Sequence, residues 1–127
     1  MAGNLSNYLE NKLLDHFLGT TAYTMPTTVY VGLYTVVPTD AGGGTQVTGG
    51  SYARQTAAFS AAASGTTSNT ANIDFAGMPA ATTVAIGVFD ALTSGNLLLW
   101  GTLTANKTTD AGDTLRIATG DLDISID

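Results

Sequence analysis

The sequence predicts a mainly β protein: an antiparallel β-sandwich, or a barrel-like variant, of about seven strands with one N-terminal amphipathic helix. Three observations lead to this prediction. Hydrophobic residues alternate with a period of two in several short segments, glycine-rich turns separate those segments, and the one helical pattern is confined to the start of the chain. Neither a βαβ alternation nor a repeat of solenoid period is present.

The composition predicts a single domain over residues 1–127 that needs no cofactor or metal. Hydrophobic residues make up 44% of the 127 residues, which is enough to fill a core. Charged residues make up only 11%, against about 25% in an average protein. The surface is therefore rich in small and hydroxyl side chains, which can join identical copies without desolvating many ions.

The charge balance disfavours several classes of partner. The net charge is −6, so nucleic acid and anionic membrane surfaces would be repelled. The sequence contains no apolar run approaching the roughly 20 residues of a membrane span. It contains no cysteine, which excludes a disulfide framework and cysteine–zinc sites.

Residues 5–18 predict an amphipathic helix. Apolar side chains recur at spacings of three and four in a broad stripe, formed by Leu5, Tyr8, Leu9, Leu13 and Phe17 with Leu14 and Leu18 to one side. Asn4, Ser6 or Asn7 is placed to cap the start, and Gly19 is placed to end the helix. The stripe is wide for a lone surface helix, so it either packs on its own sheet or docks on a partner.

Residues 27–36 predict a central strand. One face carries Val29, Val31, Leu33 and Thr35, and the other carries Tyr30, Gly32, Tyr34 and Val36. Because both faces are largely apolar, both are expected to be covered.

Residues 37–51 show no periodic pattern and predict a long loop, of the kind that is often functional or mobile. Its glycines 42–44 lack the Gly-Lys-Ser/Thr ending of a phosphate-binding loop. We therefore interpret them as a flexible tip.

Six further strands are predicted, at 52–59, 71–76, 82–89, 97–104, 114–118 and 122–126. The segments 82–89 and 97–104 predict a hairpin, and the last two predict a closing hairpin around residues 119–121. Ile73 and Phe75 are expected to point inward, and Leu122, Ile124 and Ile126 are expected to form one buried face. Val84, Ile86 and Val88 are expected to share one face of their strand. Leu97, Leu99 and Leu103 are expected to share one face of the next, with Leu98 and Trp100 on the other. Gly87 and Gly101 are expected to mark bulges or close contact with an aromatic ring such as that of Trp100.

The sequence contains no recognisable set of catalytic residues. His16 is the only histidine and Glu10 the only glutamate, and no Gly-x-Ser-x-Gly elbow is present. Two pairs of aspartates, Asp110 with Asp113 and Asp121 with Asp123, lack the ligand spacing of a known calcium loop. Turn chemistry is the favoured explanation for them.

Arg54 is one of only four basic residues and lies in the predicted strand 52–59. Pairing with an acid, in this chain or in a neighbour, is favoured over ligand binding. Tyr23 and Tyr52 are expected to be exposed, where a tyrosine ring can stack on a sugar.

Segments along nearly the whole chain carry a family resemblance. They are residues 7–16, 21–24, 29–35, 38–45, 49–54, 87–91, 95–98 and 112–114. Together they resemble a family of small tailed-bacteriophage virion proteins, commonly described as phage tail-fibre proteins. The resemblance supplies no catalytic residue. It implies a location in the virion, after assembly in the host cytoplasm, with capsid or tail proteins as partners.

The expected function is therefore that of a non-enzymatic virion structural protein acting through protein–protein contacts, either a capsid decoration (cement) protein or a tail or tail-fibre component. A fibre shaft would need heptads or a repeating β-spiral, which the sequence lacks. A homo-oligomer is expected, and a trimer is one closed form. The alternative is a receptor- or glycan-binding adhesion module. Candidate partner-binding residues are Tyr8, Leu9, Leu13, Phe17, Gly42, Gly43, Gly44, Tyr52 and Arg54.

Overall fold

The computed structural model describes residues 4–126, so residues 1–3 and 127 of the predicted domain lie outside the description. It confirms a mainly β fold with antiparallel sheets and one short N-terminal helix. The elements are β1 (Asn4–Leu5), α1 (Asn7–Phe17), β2 (Val29–Val36), β3 (Thr45–Gln46), β4 (Gln55–Ala57), β5 (Thr66–Ser68), β6 (Ile73–Phe75), β7 (Ala81–Phe89), β8 (Leu97–Thr109), β9 (Leu115–Ile117) and β10 (Asp123–Ser125). The prediction of about seven strands missed β1, β3 and β5, which are too short to show a period.

The main sheet has the order β1-β8-β7-β2, and β2 is then flanked by β3 along one half and β4 along the other. The prediction of a central strand is confirmed for β2, in which residues 31–34 are buried without interruption. Its neighbour β7 pairs with it from Tyr30↔Phe89 to Tyr34↔Ala85. This register brings Tyr34 and Phe89 together on one face of the sheet, with ring centroids 6.3 Å apart.

The core lies between the main sheet and a second layer made of two short antiparallel pairs, β6–β9 and β5–β10. Its buried members are Val31, Leu33, Val47, Ile73, Phe75, Met78, Ile86, Val88, Leu98, Leu99, Leu115, Leu122 and Ile124. As predicted, Ile73 and Phe75 point into this core. Ile126 does not: its side chain is 57% exposed, although its N–H still donates to Gly65 O at 2.9 Å beside β5.

Helix α1 begins and ends close to the predicted positions. Of the three candidate caps, Ser6 is the one used, since its hydroxyl accepts a hydrogen bond from Leu9 N at 3.2 Å. Gly19, with a φ of 80°, follows the helix where a left-handed residue is required. Leu5 was predicted to be helical but belongs to β1, where it pairs with Leu99.

The predicted closing hairpin of residues 114–118 and 122–126 is wrong. Strand β9 pairs with β6, and β10 pairs with β5, so the two segments are not partners. Asn69 explains the separation. Its side-chain amide donates to Ala118 O at 3.0 Å, and its Oδ1 accepts from Leu122 N at 2.9 Å, which holds the intervening turn open around it.

The hairpin of β7 and β8 is confirmed, but the predicted faces are wrong at two positions. Val84 packs with Tyr34 and Phe89 instead of with Ile86 and Val88, since the register shifts between Thr83 and Ala85. Leu97 also packs with Tyr34 and Phe89, because another register shift lies between Val88 and Phe89. A single extra residue in one strand reverses the side on which the next residue points.

The predicted loop over residues 37–51 is partly ordered as strand, and strand β8 is longer than predicted. Residues 37–51 contain β3 and the buried Val47, whose N–H donates to Leu33 O at 2.9 Å. Strand β8 continues to Thr109, beyond the predicted end at residue 104. Short-range patterns could not reveal either element, because both depend on pairing with a distant strand.

Gly87 makes the close aromatic contact that was predicted, although not with Trp100. A Cβ at this position would lie 2.9 Å from Tyr34 Cε2, 3.1 Å from Phe89 Cε1 and 2.8 Å from Leu97 Cδ1. The absence of a side chain therefore lets Tyr34 and Phe89 stack across the strand, with ring centroids 6.3 Å apart.

Thr83 is fully buried, and its hydroxyl has no hydrogen-bond partner among the residues described. We expect Thr83→Val to raise the free energy of unfolding by about 1 kcal/mol, because the substitution removes a desolvated polar group and keeps the shape. Urea unfolding measures this. The matched control is the buried Thr109, whose hydroxyl donates to Pro79 O at 2.8 Å. Thr109→Val should lower stability by about 1–2 kcal/mol, and equal effects of the two changes would contradict the explanation.

Candidate functional site

A polar cleft of about 450 Å³ opens where four parts of the chain meet. These parts are the start of α1, the turn at residues 39–43, the segment around Arg54 and the loop 90–96. The residues that define the polar cleft here are Tyr8, Asp40, Gly42, Gly43, Arg54 and Asn96. Four of them, Tyr8, Gly42, Gly43 and Arg54, are among the candidates named from the sequence.

Hydrogen bonds tie the turn at 39–42 to the helix and the sheet. Asn7 N donates to Asp40 O at 2.8 Å, and Trp100 Nε1 donates to Asp40 Oδ1 at 3.0 Å. Thr39 and Gly42 exchange backbone hydrogen bonds of 2.8 and 2.9 Å. The turn is therefore a fixed wall of the cleft. Gly42 and Gly43 both have positive φ and open space where a Cβ would lie.

Arg54 forms the floor of the cleft. Its guanidinium carbon lies 3.5 Å from the centre of the Phe89 ring. Nη1 donates to Ala91 O at 2.9 Å and to Ser94 O at 2.8 Å, and Nε donates to Gln46 Oε1 at 3.3 Å. Pairing with an acid of this chain is not found: among the described residues, no carboxylate oxygen lies within 4.0 Å of the Arg54 guanidinium. Pairing with an acid of a neighbouring copy stays a prediction. Burial lowers the pKa of Arg54, but an arginine remains cationic at any physiological pH.

The loop 90–96 is closed by Asp90. Its carboxylate accepts from Asn96 N at 2.7 Å and from Asn96 Nδ2 at 2.9 Å. Partial burial works against ionisation, but these hydrogen bonds outweigh it and the pKa of Asp90 is lowered. The loop thus presents its carbonyls to Arg54 without leaving an unpaired charge.

We expect Arg54→Lys to lower the free energy of unfolding by about 1–2 kcal/mol, because an ammonium cannot stack on Phe89 and donate to two carbonyls from one plane. Amide hydrogen exchange in the loop 90–96 should accelerate at the same time. The matched control is Arg116→Lys. Arg116 forms an exposed ion pair with Asp74, with Nε 2.7 Å from Oδ1, and the change there should be smaller. Unaltered exchange in the loop would contradict the role assigned to Arg54.

A second surface lies at the far end of α1. Its projecting part is the apolar knob, defined by Leu14, Phe17 and Leu18, whose exposed fractions are 56%, 72% and 78%. Helix α1 contains no buried residue, and it packs against the core only through its first turns. The chain then turns back, since Thr20 N donates to Asp15 O at 2.9 Å and Tyr23 N donates to His16 Nδ1 at 3.1 Å.

That returning segment forms one wall of a groove of about 550 Å³. We call it the tyrosine groove and define it by Tyr8, Tyr23, Met25, Pro26, Tyr30 and Leu92. Met25 is 77% exposed and Leu92 is 50% exposed, so the groove is open. Its lining combines these apolar side chains with the polar Thr24, Thr27, Thr28 and Asp90. Tyr8 lines both the groove and the polar cleft.

The remaining candidates have different positions. Leu9 packs on the core, and Leu13 is half-buried beside it. Gly44 is packed against the backbone, because a Cβ there would lie 2.6 Å from Val36 O and 2.8 Å from Pro38 N. Tyr52 is half-buried instead of exposed: its hydroxyl accepts from Leu33 N at 2.8 Å and its ring stacks on Phe75. Burial raises the pKa of Tyr52. The hydrogen bond from Leu33 N lowers the pKa by less, so the net shift is upward.

Sequence reasoning missed Met25, Leu92 and Asn96. The first two are isolated apolar residues in segments that resemble connectors, and Asn96 lies in the connection between the predicted strands 82–89 and 97–104. No periodic signal marks any of them. Their nearness to Tyr8 arises from the fold.

Of the two aspartate pairs, Asp110 with Asp113 forms a hydrogen-bonded turn, as predicted. Asp110 N donates to Asp113 Oδ2 at 2.8 Å, and Asp113 N donates to Asp110 O at 3.1 Å. Within residues 4–126, no three histidine, aspartate or glutamate side chains are grouped as metal ligands would be.

None of the helices in the described part of the chain has the length and apolar character needed to cross a membrane.

Comparison with known proteins adds one finding. A protein-family model described as Gp80, podophage GP4 fiber I protein gp80, matches residues 4–125. Among curated proteins, no sequence matches the chain. The family match spans both surfaces described above.

Proposed function

This chain belongs to the family of the podophage fiber I protein and is a bacteriophage virion structural protein; on that premise, we propose that it is a non-enzymatic component of the tail-fibre apparatus that attaches through the apolar end of its helix. The observation that carries the proposal is the exposure of Leu14, Phe17 and Leu18, which lie three and four residues apart at the end of α1, at 56%, 72% and 78%. Large apolar side chains grouped in this way are typical of protein interfaces.

The driving force for attachment is the removal of apolar surface from water. Burying apolar surface is worth about 25 cal/mol per Å², so covering one fully exposed side chain of this size contributes about 1.5–3 kcal/mol. The few ionic groups on α1, Glu10, Lys12 and Asp15, flank the knob and lie outside it. A partner surface could therefore close over the knob without desolvating an unpaired ion.

The test compares virions that carry Phe17→Asp with virions that carry Asn11→Asp. Both changes add one negative charge to α1, but Asn11 is an exposed polar residue outside the knob. We expect the Phe17→Asp protein to be lost from purified particles by about 100-fold, and the Asn11→Asp protein to be retained. Quantitative mass spectrometry of particles measures the copy number. Retention of both variants would contradict the proposal.

Placement on the tail, instead of as a capsid decoration protein, is supported by the fibre description of the family. Labelling of intact virions with an antibody against the protein distinguishes the two placements. Label at the tail is expected, and label distributed over the capsid would support the decoration role.

A second candidate function is adhesion to a host receptor or glycan through the polar cleft. The observation that favours it is the convergence of Tyr8, Gly42, Gly43 and Arg54 on one opening. Ala41 is exposed and lines the cleft, so Ala41→Trp should fill it, whereas Ala111→Trp alters an exposed turn elsewhere. Saturable binding to host cells that only Ala41→Trp abolishes would support adhesion, and no binding by the wild-type protein would exclude it.

A further inference from the structure

We propose that a second copy of this chain occupies the apolar end, with the apolar knob of one copy seated in the tyrosine groove of the next. This inference rests on the proposed function, because it names the partner of the same surface. Three properties of that surface carry it: its size, its division into a projecting and a receding part, and its charge.

The size matches one side of a stable protein interface. The exposed parts of Leu14, Phe17, Leu18, Met25 and Leu92 range from 50% to 78%. Together they amount to about 600 Å², taking on the order of 200 Å² for a fully exposed large side chain. A standard interface buries about 800 Å² on each partner, of which roughly 500 Å² is apolar. In a two-fold dimer, in which each copy buries both its knob and its groove against the other, this surface supplies the apolar part of one side of the interface.

One part of the surface projects and the other recedes, and they do not fill each other within one copy. Phe17 and Leu18 project at 72% and 78% exposure, while the groove remains open with a volume of about 550 Å³. Tyr8, which lines the groove, lies nine residues before Phe17, a separation of about 14 Å along a helix. A knob and a groove on the same molecule generate a contact that copies can repeat, closing as a dimer or a ring.

The charges also permit contact between copies, although each carries a net charge of −6. The knob contains no ionisable residue. The one ionisable acid lining the groove, Asp90, already accepts two hydrogen bonds from Asn96. Beside the groove, Lys12 Nζ lies 5.7 Å from the centre of the Tyr8 ring, and beside the knob lies the exposed Asp15. A knob entering a neighbouring groove therefore brings opposite charges to the rim.

The experiment is size-exclusion chromatography with light scattering on the purified full chain, from low to high micromolar concentration. The wild-type protein should form a dimer or a closed ring. Phe17→Asp in the knob and Leu92→Asp in the groove should each weaken assembly about 100-fold, corresponding to the loss of one interface hot spot. Asn11→Asp, with the same added charge, should assemble as the wild type does.

Mixing the two defective variants gives the decisive result. The Phe17→Asp protein keeps an intact groove and the Leu92→Asp protein keeps an intact knob, so the mixture should form a complex with one chain of each. A mixture that remains monomeric would overturn the proposal, since it would mean that knobs meet knobs or that a different surface is used. Far-ultraviolet circular dichroism identical to the wild type shows that each variant is folded.

The outcomes separate this inference from the proposed function. A wild-type chain that is monomeric at every concentration overturns the inference. If Phe17→Asp nevertheless removes the protein from virions, the attachment role stands and a different virion protein covers the knob. If the wild-type chain assembles in solution but the Phe17→Asp protein is incorporated normally into particles, the self-association stands and the attachment role is contradicted.

Discussion

Asn69→Asp is expected to lower the free energy of unfolding by about 3–5 kcal/mol, a large part of the 5–15 kcal/mol that stabilises a typical domain. Asn69 is only 2% exposed, and its Nδ2 donates to Ala71 O at 2.8 Å and to Ala118 O at 3.0 Å. An aspartate cannot make these two donations. Its carboxylate would instead face two carbonyl oxygens inside the protein. Urea unfolding at neutral pH measures the loss.

The matched control is Asn72→Asp. Asn72 is exposed, and its side chain accepts through Oδ1, from Thr119 N at 2.9 Å and from Thr119 Oγ1 at 3.2 Å. A carboxylate preserves both acceptor contacts, so stability should change by less than about 0.5 kcal/mol. Comparable losses from the two substitutions would show that the donor role of Asn69 is not what holds the second layer together.

The Asn69→Asp variant should also acquire a pH dependence. Burial would raise the folded-state pKa of the introduced carboxyl above its unfolded value of about 3.9. The folded state would then bind more protons than the unfolded state, so stability falls as the pH rises between the two values. The defect should therefore be smaller at pH 4 than at pH 7. A defect that grows on acidification, relative to the wild type, would contradict this assignment.

Gly87→Ala is the second substitution with a large expected effect, a loss of about 2–3 kcal/mol. The added methyl would lie 2.8 Å from Leu97 Cδ1 and 2.9 Å from Tyr34 Cε2, in the middle of the central strands, where the backbone cannot shift freely. The aromatic pair Tyr34–Phe89 would have to separate, and Arg54 would lose the ring on which it lies. Thermal unfolding measures the stability, and near-ultraviolet circular dichroism reports on the aromatic pair.

A double-mutant cycle tests the cause. Leu97→Ala removes Cδ1, the nearest of the atoms that would meet the new methyl group. The combined variant should be at least about 0.5 kcal/mol more stable than the sum of the single effects predicts. Strict additivity would show that the added methyl group does not meet Leu97, and that the loss comes from elsewhere.

These two residues show where prediction from the sequence stopped. Asn69 lies in a segment rich in alanine, serine, glycine and threonine, and its type suggests only a turn. Its importance comes from partners 49 and 53 residues away. Gly87 was recognised as a place of close aromatic contact, but the aromatic residues were identified only when the register of β2 against β7 was known.

The candidate site was predicted in part. The sequence named Tyr8, Gly42, Gly43 and Arg54, and the fold brings them to one cleft. The same prediction included Tyr52, which is half-buried against the core, and Gly44, which packs against the backbone of Val36 and Pro38. Residue type suggests which side chains can bind a partner, whereas burial depends on contacts that are remote in sequence.

The amino-acid order by itself determined the helix with its Ser6 cap region, the central strand β2 and the hairpin of β7 with β8. Each of these is encoded within one continuous stretch of the chain by a period of 3.6 or of two and by the turns that bound it. The tertiary structure alone decided three other features: the separate partners of β9 and β10, the bulges that moved Val84 and Leu97 to the other face, and the exposure of the knob. The physical reason is that strand pairing and burial depend on distant hydrogen bonds and contacts, which leave no periodic trace in the chain.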